Sequence, residues 1–435
     1  MHIAMIGTGY VGLVSAACFS DFGHTVICVD KDKEKIAQIS SGGALPIFEP
    51  GLDFLVATNV KAERLSFTAD ISAAVASADA IFLAVGTPSR RGDGFADLSF
   101  IYEAARQIAR ELKGFTVVAT KSTVPVGTND EVETIIRDIA PEAEFAVVSN
   151  PEFLREGSAI EDFKRPDRIV IGTEDERARR VMRDIYRPLF INETPILFTS
   201  RRAAELIKYA SNAFLAAKVA FINEMADICE KCAIDVQEVA RGMGLDRRIA
   251  AKFLHPGPGF GGSCFPKDTA ALAAIGQRCG APSSIVETVI AANHARKTAM
   301  VEKIVAACGG APRDKLVAVL GLTFKPNTDD MREAPSLVII AALQARGARV
   351  RAFDPKGMLE ARRLMPQLET AGDAYACLDG ADAMVILTEW DEFRALDLDR
   401  VKAGLRQPVV VDLRSIYKPT DMAEVGLTYV SVGRG

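Results

Sequence analysis

Apolar residues come in short, nearly unbroken runs through the first 200 positions of the chain. HIAMIG (2–7), TVICVD (25–30), ADAIFLAVG (78–86), FTVVATKS (115–122) and AEFAVVSN (143–150) read as strands, separated by helical stretches such as FIYEAARQIARELKG (100–114). Runs that are apolar throughout, instead of alternating, belong to a parallel sheet covered on both faces. This first α/β domain is expected to span residues 1–200. The pattern then changes. RRAAELIKYASNAFLAAKVAFINEMADICEKCAI (201–234) has no Pro or Gly and repeats apolar residues at three-to-four spacing. Roughly thirty residues of such a helix would run for about 45 Å, longer than one small core needs, and the helix is read as a spine that joins two domains and buries one side in a dimer. The helical region is expected to cover 201–308.

The third region, 309–435, repeats the first in outline. KLVAVLGL (315–322) opens it, ARVRAFDPK (348–356) parallels HTVICVDKD (24–32), and GADAMVILTEW (380–390) parallels SADAIFLAVGT (77–87). The expected fold is therefore two Rossmann-like, doubly wound α/β domains joined by a long central helix. The first turn of the second copy reads GLTFKPNTDD (321–330), without a glycine fingerprint, so this copy is expected to hold a different ligand or to be a structural duplicate.

Composition excludes more than it selects. The 435 residues are 49% hydrophobic and 25% charged, with a formal net charge of −5, which argues against a nucleic-acid or anionic-membrane partner. The chain starts directly on a strand, without a signal-peptide pattern, and no apolar run is long enough to span a bilayer; the expected location is cytoplasmic. Eight cysteines are spread along the chain, which does not suggest a disulfide framework. Cys229 and Cys232 form a CxxC inside the helical pattern with no second pair and are read as structural. The four histidines are scattered, and no metal site is expected.

The chemistry begins at GTGYVG (7–12), a GxGxxG that follows a strand and opens a helix. Gly7 permits the tight turn, Gly9 lets a pyrophosphate approach the backbone and Gly12 allows close helix–strand packing; Tyr10 and Val11, inside the same turn, are expected to bind the cofactor with them. The helix N-terminus favours phosphate. Asp30, eighteen residues after Gly12, ends the second strand, where a carboxylate accepts from ribose hydroxyls and repels a 2′-phosphate. The expected cofactor is NAD, with Lys31 and Lys35 softening the preference. NPEFLREG (150–157) reads as a short helix behind an Asn cap, with Glu152 and Glu156 on one face at i,i+4; they serve as base, water-positioner or cofactor contact, or as a solvated face. Lys208 and Asn212 are also i,i+4, on the spine, and suit an oxyanion, the alternative being a lysine snorkelling at the helix edge. GFGGSCFPKD (259–268) sets Cys264 among glycines that leave its approach open, or else is a turn around a structural thiol. A nicotinamide cofactor with one thiol suggests aldehyde-level chemistry, in which a thiohemiacetal loses hydride to give a thioester that water cleaves. Asp268 would position that water and Lys208 would favour the thiolate.

On GTGYVG, KSTVPVGT, SNPEFLREG, LIKYASNAF, FLHPGPGFGGSCFPKD and GLTFKPNTDDMREAPS, the chain resembles the UDP-glucose 6-dehydrogenase family nearly end to end. The resemblance implies NAD in the first domain, a dimer on the long helix and the UDP part of a sugar nucleotide in the third domain. It implies Cys264 as nucleophile, Lys208, Asn212 and Asp268 around the reacting carbon, and Thr123 and Glu152 in a water network. Implied NAD contacts are Val11, Asp30, Lys35, Thr87, Thr123, Glu156, Lys267 and Arg332. Implied substrate contacts are Glu152, Phe153, Leu154, Lys208, Asn212, the run Phe253, Leu254, His255, Pro256 and Gly257, then Gly261 and Lys325, with Arg248 reaching across a dimer. His255 matches no catalytic position. Rival readings are a relative that uses GDP-mannose or an N-acetylated UDP-hexosamine, a single-hydride β-hydroxyacid dehydrogenase, and a non-enzymatic NAD sensor or scaffold.

Overall fold

The computed structural model describes residues 1–88 and 96–434 and forms two compact units, Met1–Ser211 and Asn212–Gly435. The strands of the first unit are β1 (His2–Ile6), β2 (Thr25–Val29), β3 (Leu65–Thr68), β4 (Ala80–Leu83), β5 (Thr116–Thr120), β6 (Phe145–Ser149), β7 (Ile169–Gly172) and β8 (Ile196–Thr199). Among the described residues they form one sheet in the order β3-β2-β1-β4-β5-β6-β7-β8. The first six are parallel in the doubly wound order 3-2-1-4-5-6. β7 joins β6 antiparallel through the single pair Ser149↔Gly172, and β8 runs parallel to β7.

The apolar runs fit this sheet because both of its faces are covered. Along β1, Ile3 and Met5 enter one core with Leu13, Phe19 and Phe82, whereas Ala4 and Ile6 enter another with Ile101, Val118 and Val132. Alternate residues of one strand thus end in opposite cores, which leaves no polar face.

The second unit carries β9 (Leu316–Leu320), β10 (Arg349–Phe353), β11 (Glu369–Thr370), β12 (Ala383–Ile386), β13 (Val409–Asp412) and β14 (Thr428–Ser431). Their order among the described residues is β11-β10-β9-β12-β13-β14, parallel throughout, so the doubly wound order of the first unit recurs. The expected pair of Rossmann-like domains is present. The spine is one helix, Arg201–Cys232, of 32 residues, about 48 Å at the α-helical rise. The division between the units falls inside it. In the second unit its Ile222, Ala226 and Cys229 pack in one core with Val317, Val319, Met300 and Ile304. Cys229 is therefore core and Cys232 is exposed at the helix end, as a structural reading of the CxxC expects. No helix among the described residues is long and apolar enough to cross a membrane.

Candidate active site

In the first unit the glycine turn lies at the carboxyl end of β1. Gly7 adopts φ +105° and donates its N–H to the Val29 carbonyl at 2.7 Å. A Cβ on Gly12 would lie 2.0 Å from the Gly7 carbonyl oxygen, so only glycine lets the helix Tyr10–Asp21 start this close to the turn. A Cβ on Gly9 would meet nothing within 4 Å, which is the open approach a pyrophosphate needs. Asp30, just beyond β2, accepts from the Thr8 N–H at 3.0 Å and the Thr8 hydroxyl at 2.6 Å, and pairs with Lys35. Burial pushes its carboxyl up, but the hydrogen bonds from Lys35 and Thr8 outweigh this and hold it down at about 2. It is an ionised acceptor just beyond β2. The residues fit a dinucleotide.

Tyr10 turns away from that turn. Its hydroxyl binds Glu49, which also accepts from the Gly157 N–H at 2.6 Å and the Ala159 N–H at 2.7 Å. Burial, then the hydrogen bond to Glu49, raises the Tyr10 phenol far above its usual range. Glu156 is buried close by. Thr87 donates its hydroxyl to the Thr123 carbonyl at 3.0 Å, which ties the ends of β4 and β5 together. Val11 is half-buried against the core.

Residues 150–157 do not form the short helix expected for NPEFLREG. The segment is irregular and ends in a turn at Glu156–Gly157, and the helix starts only at Ala159. The Glu152 carboxylate bends back to accept the Leu154 N–H, and Glu49 takes the N–H groups of Gly157 and Ala159, so two carboxylates occupy the donors that a helix from Glu152 would use. Glu152 and Glu156 therefore share no helix face. Instead Glu152 Oε1 accepts from Lys208 Nζ at 3.0 Å, with the two side chains 6% and 3% exposed. Lys208 also stands 5.3 Å from the centroid of the Phe153 ring, which Arg168 covers at 3.7 Å. The snorkelling alternative for Lys208 is excluded by this burial.

Besides Glu49, a lysine of this unit escaped the sequence reading. Lys121, at the end of β5, is 3% exposed and donates to Asn150 Oδ1 at 3.3 Å and the Tyr186 hydroxyl at 3.2 Å, with Phe82 and Phe163 around it. Burial lowers its ammonium to about 8; Glu152 opposes the shift and Lys208 adds to it. Its only sequence signal was a lysine placed directly after an apolar strand.

In the second unit Cys264 is the N-cap residue of the helix Phe265–Arg278, with its sulfur 3.6 Å from the Ser263 hydroxyl. Its carbonyl accepts from the Asp268 N–H at 2.8 Å. Asp268, one turn on and 1% exposed, accepts from Asn212 Nδ2 at 2.6 Å and from Lys267 Nζ at 2.7 Å. Asn212 is one turn beyond Lys208 on the spine. The glycines before the thiol have a different purpose from the one expected. A Cβ at Gly259, Gly261 or Gly262 would lie 2.8 Å from Asn293 Oδ1, 2.4 Å from the Glu333 carbonyl and 2.7 Å from the Phe324 ring. They let the loop pack against its own protein and do not hold an approach open. Cys264 itself is partly exposed.

Of the remaining expected residues, Phe253 and Arg332 contact this loop or the helix that follows it. Phe253 is held at φ +67° with its ring 5.9 Å from that of Phe265. Leu254, Pro256 and Gly257 are buried and His255 is exposed. Asn223 accepts from the Gly257 N–H at 2.8 Å. Arg332 passes its carbonyl to the Gly262 N–H at 2.8 Å while its exposed guanidinium grips Asp330. Lys325 is half-buried, 5.2 Å from the Phe324 ring centroid. Arg248 is 89% exposed and bonded to Asp246. Arg414, beyond the carboxyl end of β13, was not singled out in the sequence; it donates to the carbonyls of Leu387 at 2.8 Å and Phe324 at 3.0 Å, near Gly257.

The second copy also lacks a usable ribose acceptor. Asp354, the counterpart of Asp30 after β10, is fully buried and accepts from the N–H groups of Leu322, Thr323, Lys356 and Gly357, the Thr323 hydroxyl and the Trp390 indole. Its lone pairs are consumed internally, so the loss of the glycine fingerprint is matched by the sealing of the acid.

Comparison with known proteins agrees with this geometry. Residues 1–190, 202–295 and 318–419 match the NAD binding, central and UDP binding domains of the UDP-glucose/GDP-mannose dehydrogenase family. The chain is 61% identical to a UDP-glucose 6-dehydrogenase of Rhizobium meliloti, with all of both chains covered. It is 44% identical to one of Pseudomonas aeruginosa, covering 100% of this chain and 98% of the other. A solved UDP-glucose dehydrogenase of Pyrobaculum islandicum superposes with a TM-score of 0.91 at 39% identity, over 100% of this chain and 98% of that one. The doubly wound pair, the glycine turn with its acid, and these matches together place the chain in the UDP-glucose/GDP-mannose dehydrogenase family.

Proposed function

We propose that the chain oxidises UDP-glucose to UDP-glucuronate in two successive steps at one carbon, with Cys264 holding the aldehyde-level intermediate. The observation that carries this is the Cys264–Asp268 turn: a partly exposed thiol at a helix N-terminus, followed one turn later by a buried carboxylate that Asn212 and Lys267 fix from both sides. NAD, when bound on the Gly7–Gly12 turn and Asp30, accepts a hydride in each step. The Cys264 sulfur adds to the aldehyde carbon, and the thiol proton is released as the thiohemiacetal forms and is oxidised to a thioester. Water then adds to the carbonyl carbon, the C–S bond breaks, the thiol recovers a proton and the carboxylate leaves. The balance is one alcohol, one water and two NAD to one carboxylate, two NADH and three protons.

Asp268 orients the water, because its oxygens accept and its position is fixed by Asn212 and Lys267. Thr123 and Glu152 assist in holding that water. Lys208, held by Glu152, and Asn212, held by Asp268, stabilise the oxyanion, one as an ammonium and the other as an amide donor. Lys325 is a cation suited to a diphosphate at the carboxyl ends of the second sheet, whereas Arg414 is paired with Glu389 and braces the loop ends there.

A homodimer on the spine belongs to the same reading. Phe214, Phe221 and Ile228, spaced by seven, are 69%, 46% and 54% exposed, an apolar stripe that a second copy would cover. Arg248, extended into solvent, would then meet the partner's substrate. A cytoplasmic location completes the proposal. Assaying NADH release against UDP-glucose, GDP-mannose and N-acetylated UDP-hexosamines tests it: UDP-glucose should give the highest kcat/KM.

A further inference from the structure

The loop that carries Cys264 is held by one face of another helix, Ser284–Ala307, to which the chemistry above assigns nothing. Asn293, Arg296 and Lys297 lie on that face at i, i+3 and i+4, and are 9%, 5% and 4% exposed. Asn293 makes a closed pair with one residue of the loop: its Oδ1 accepts from the Phe260 N–H at 2.8 Å and its Nδ2 donates to the Phe260 carbonyl at 3.1 Å. The side chain thus imitates a neighbouring strand and satisfies both backbone groups of a buried residue. Arg296 Nε donates to the Gly257 carbonyl at 2.9 Å, and Lys297 Nζ to the Glu333 carbonyl at 2.9 Å. That same Glu333 carbonyl is the wall against which Gly261 packs, and Gly259, at φ +112°, is pressed on Asn293 Oδ1. The loop is therefore fixed at 257, 260 and 261, three to seven residues before the thiol. The Phe260 ring, edge-on to Phe265 at 5.8 Å, passes this register to the first residue of the Cys264 helix.

We propose that Asn293 is a positioning residue for Cys264: it sets where the sulfur stands and so whether the aldehyde is captured before it escapes. The proposal rests on the thiol chemistry of the preceding subsection. Only an amide offers an acceptor and a donor in this orientation. Asn293→Asp keeps the shape and the acceptor, but sets a carboxylate oxygen against the Phe260 carbonyl, and the loop must shift to relieve that repulsion.

The test compares wild type with Asn293→Asp, and with Asn293→Ser should the first fail to fold. Alkylation of Cys264 by iodoacetamide is followed by peptide mass, with Cys232 and Cys279, both exposed, as internal references. The Cys264 rate should change by about tenfold or more, since both the exposure and the thiolate fraction of a thiol follow where its sulfur stands, while the reference rates stay constant. With UDP-glucose and NAD the variant should release fewer than two NADH per sugar and leak aldehyde to a hydroxylamine trap. A residue that only stabilises the fold would lower the active fraction and leave the stoichiometry at two. A Cys264 alkylation rate within about twofold of wild type, a difference below about 0.4 kcal/mol by the Arrhenius factor, overturns the positioning role whatever the turnover. Should wild type itself fail to oxidise UDP-glucose, the proposed activity falls, and the alkylation ratio still decides the role of Asn293.

Discussion

The Asn212 amide donates to Asp268 Oδ2 at 2.6 Å, from the spine to the first turn of the Cys264 helix. With Lys267 on the other oxygen at 2.7 Å, the carboxylate has no rotational freedom left. Asp268→Asn removes the charge and the second acceptor while keeping the shape. Lys267 is 24% exposed and stays solvated in the variant, so the fold should survive. We expect kcat to fall by roughly 10² to 10³-fold, the size typical of losing one preorganised polar group, with KM little changed. Steady-state kinetics with a thermal-unfolding control checks this.

Asp30 should set cofactor choice. NAD should be used far better than NADP, and Asp30→Ala should narrow the gap in kcat/KM; a wild-type preference for NADP contradicts the assignment. The same carboxyl has a stability signature. Its folded value of about 2 lies below the usual carboxylate range, so its contribution is present above about pH 4 and lost as pH falls toward 2. Acid titration of unfolding should show this loss in wild type and less of it in Asp30→Asn.

Lys121 is predicted to cost stability at neutral pH. Its folded ammonium titrates at about 8, below the unfolded value of about 10.4, so the unfolded chain binds the proton more tightly. Lys121→Met should therefore raise Tm at pH 7, and the difference should shrink as pH rises from 8 toward 10. A Tm that drops equally at both pH values would instead assign the stability to the hydrogen bonds from Lys121 to Asn150 and Tyr186.

Lys325→Ala should weaken UDP-glucose binding and leave NAD affinity nearly intact, measured by calorimetry with each ligand alone. An equal loss for both would assign Lys325 a structural part.

What the sequence disclosed follows the range of the forces involved. The turn at Gly7–Gly12 and the acid at Asp30 are local consequences of backbone clearance and strand length, so spacing alone located them, and uninterrupted apolar runs announced two parallel sheets. The segment 150–157 misled because Glu152 and Glu156 have helical spacing, whereas the donors there are taken by Glu152 itself and by Glu49, far away in the chain. Lys121, Asn293 and Asp354 show the same limit. Each is an ordinary polar residue until the fold buries it among partners that no local pattern names.

Capture of the aldehyde by Cys264 is decided by counting NADH per molecule of UDP-glucose consumed, in wild type and in Cys264→Ala. A tethered thiohemiacetal cannot diffuse away between the two oxidations, so wild type should give two NADH per sugar without free aldehyde. The alanine variant should fold, bind NAD and fail to complete the second oxidation. One NADH per sugar in wild type, or an alanine variant that still gives two at near wild-type rate, would show that this thiol does not capture the aldehyde.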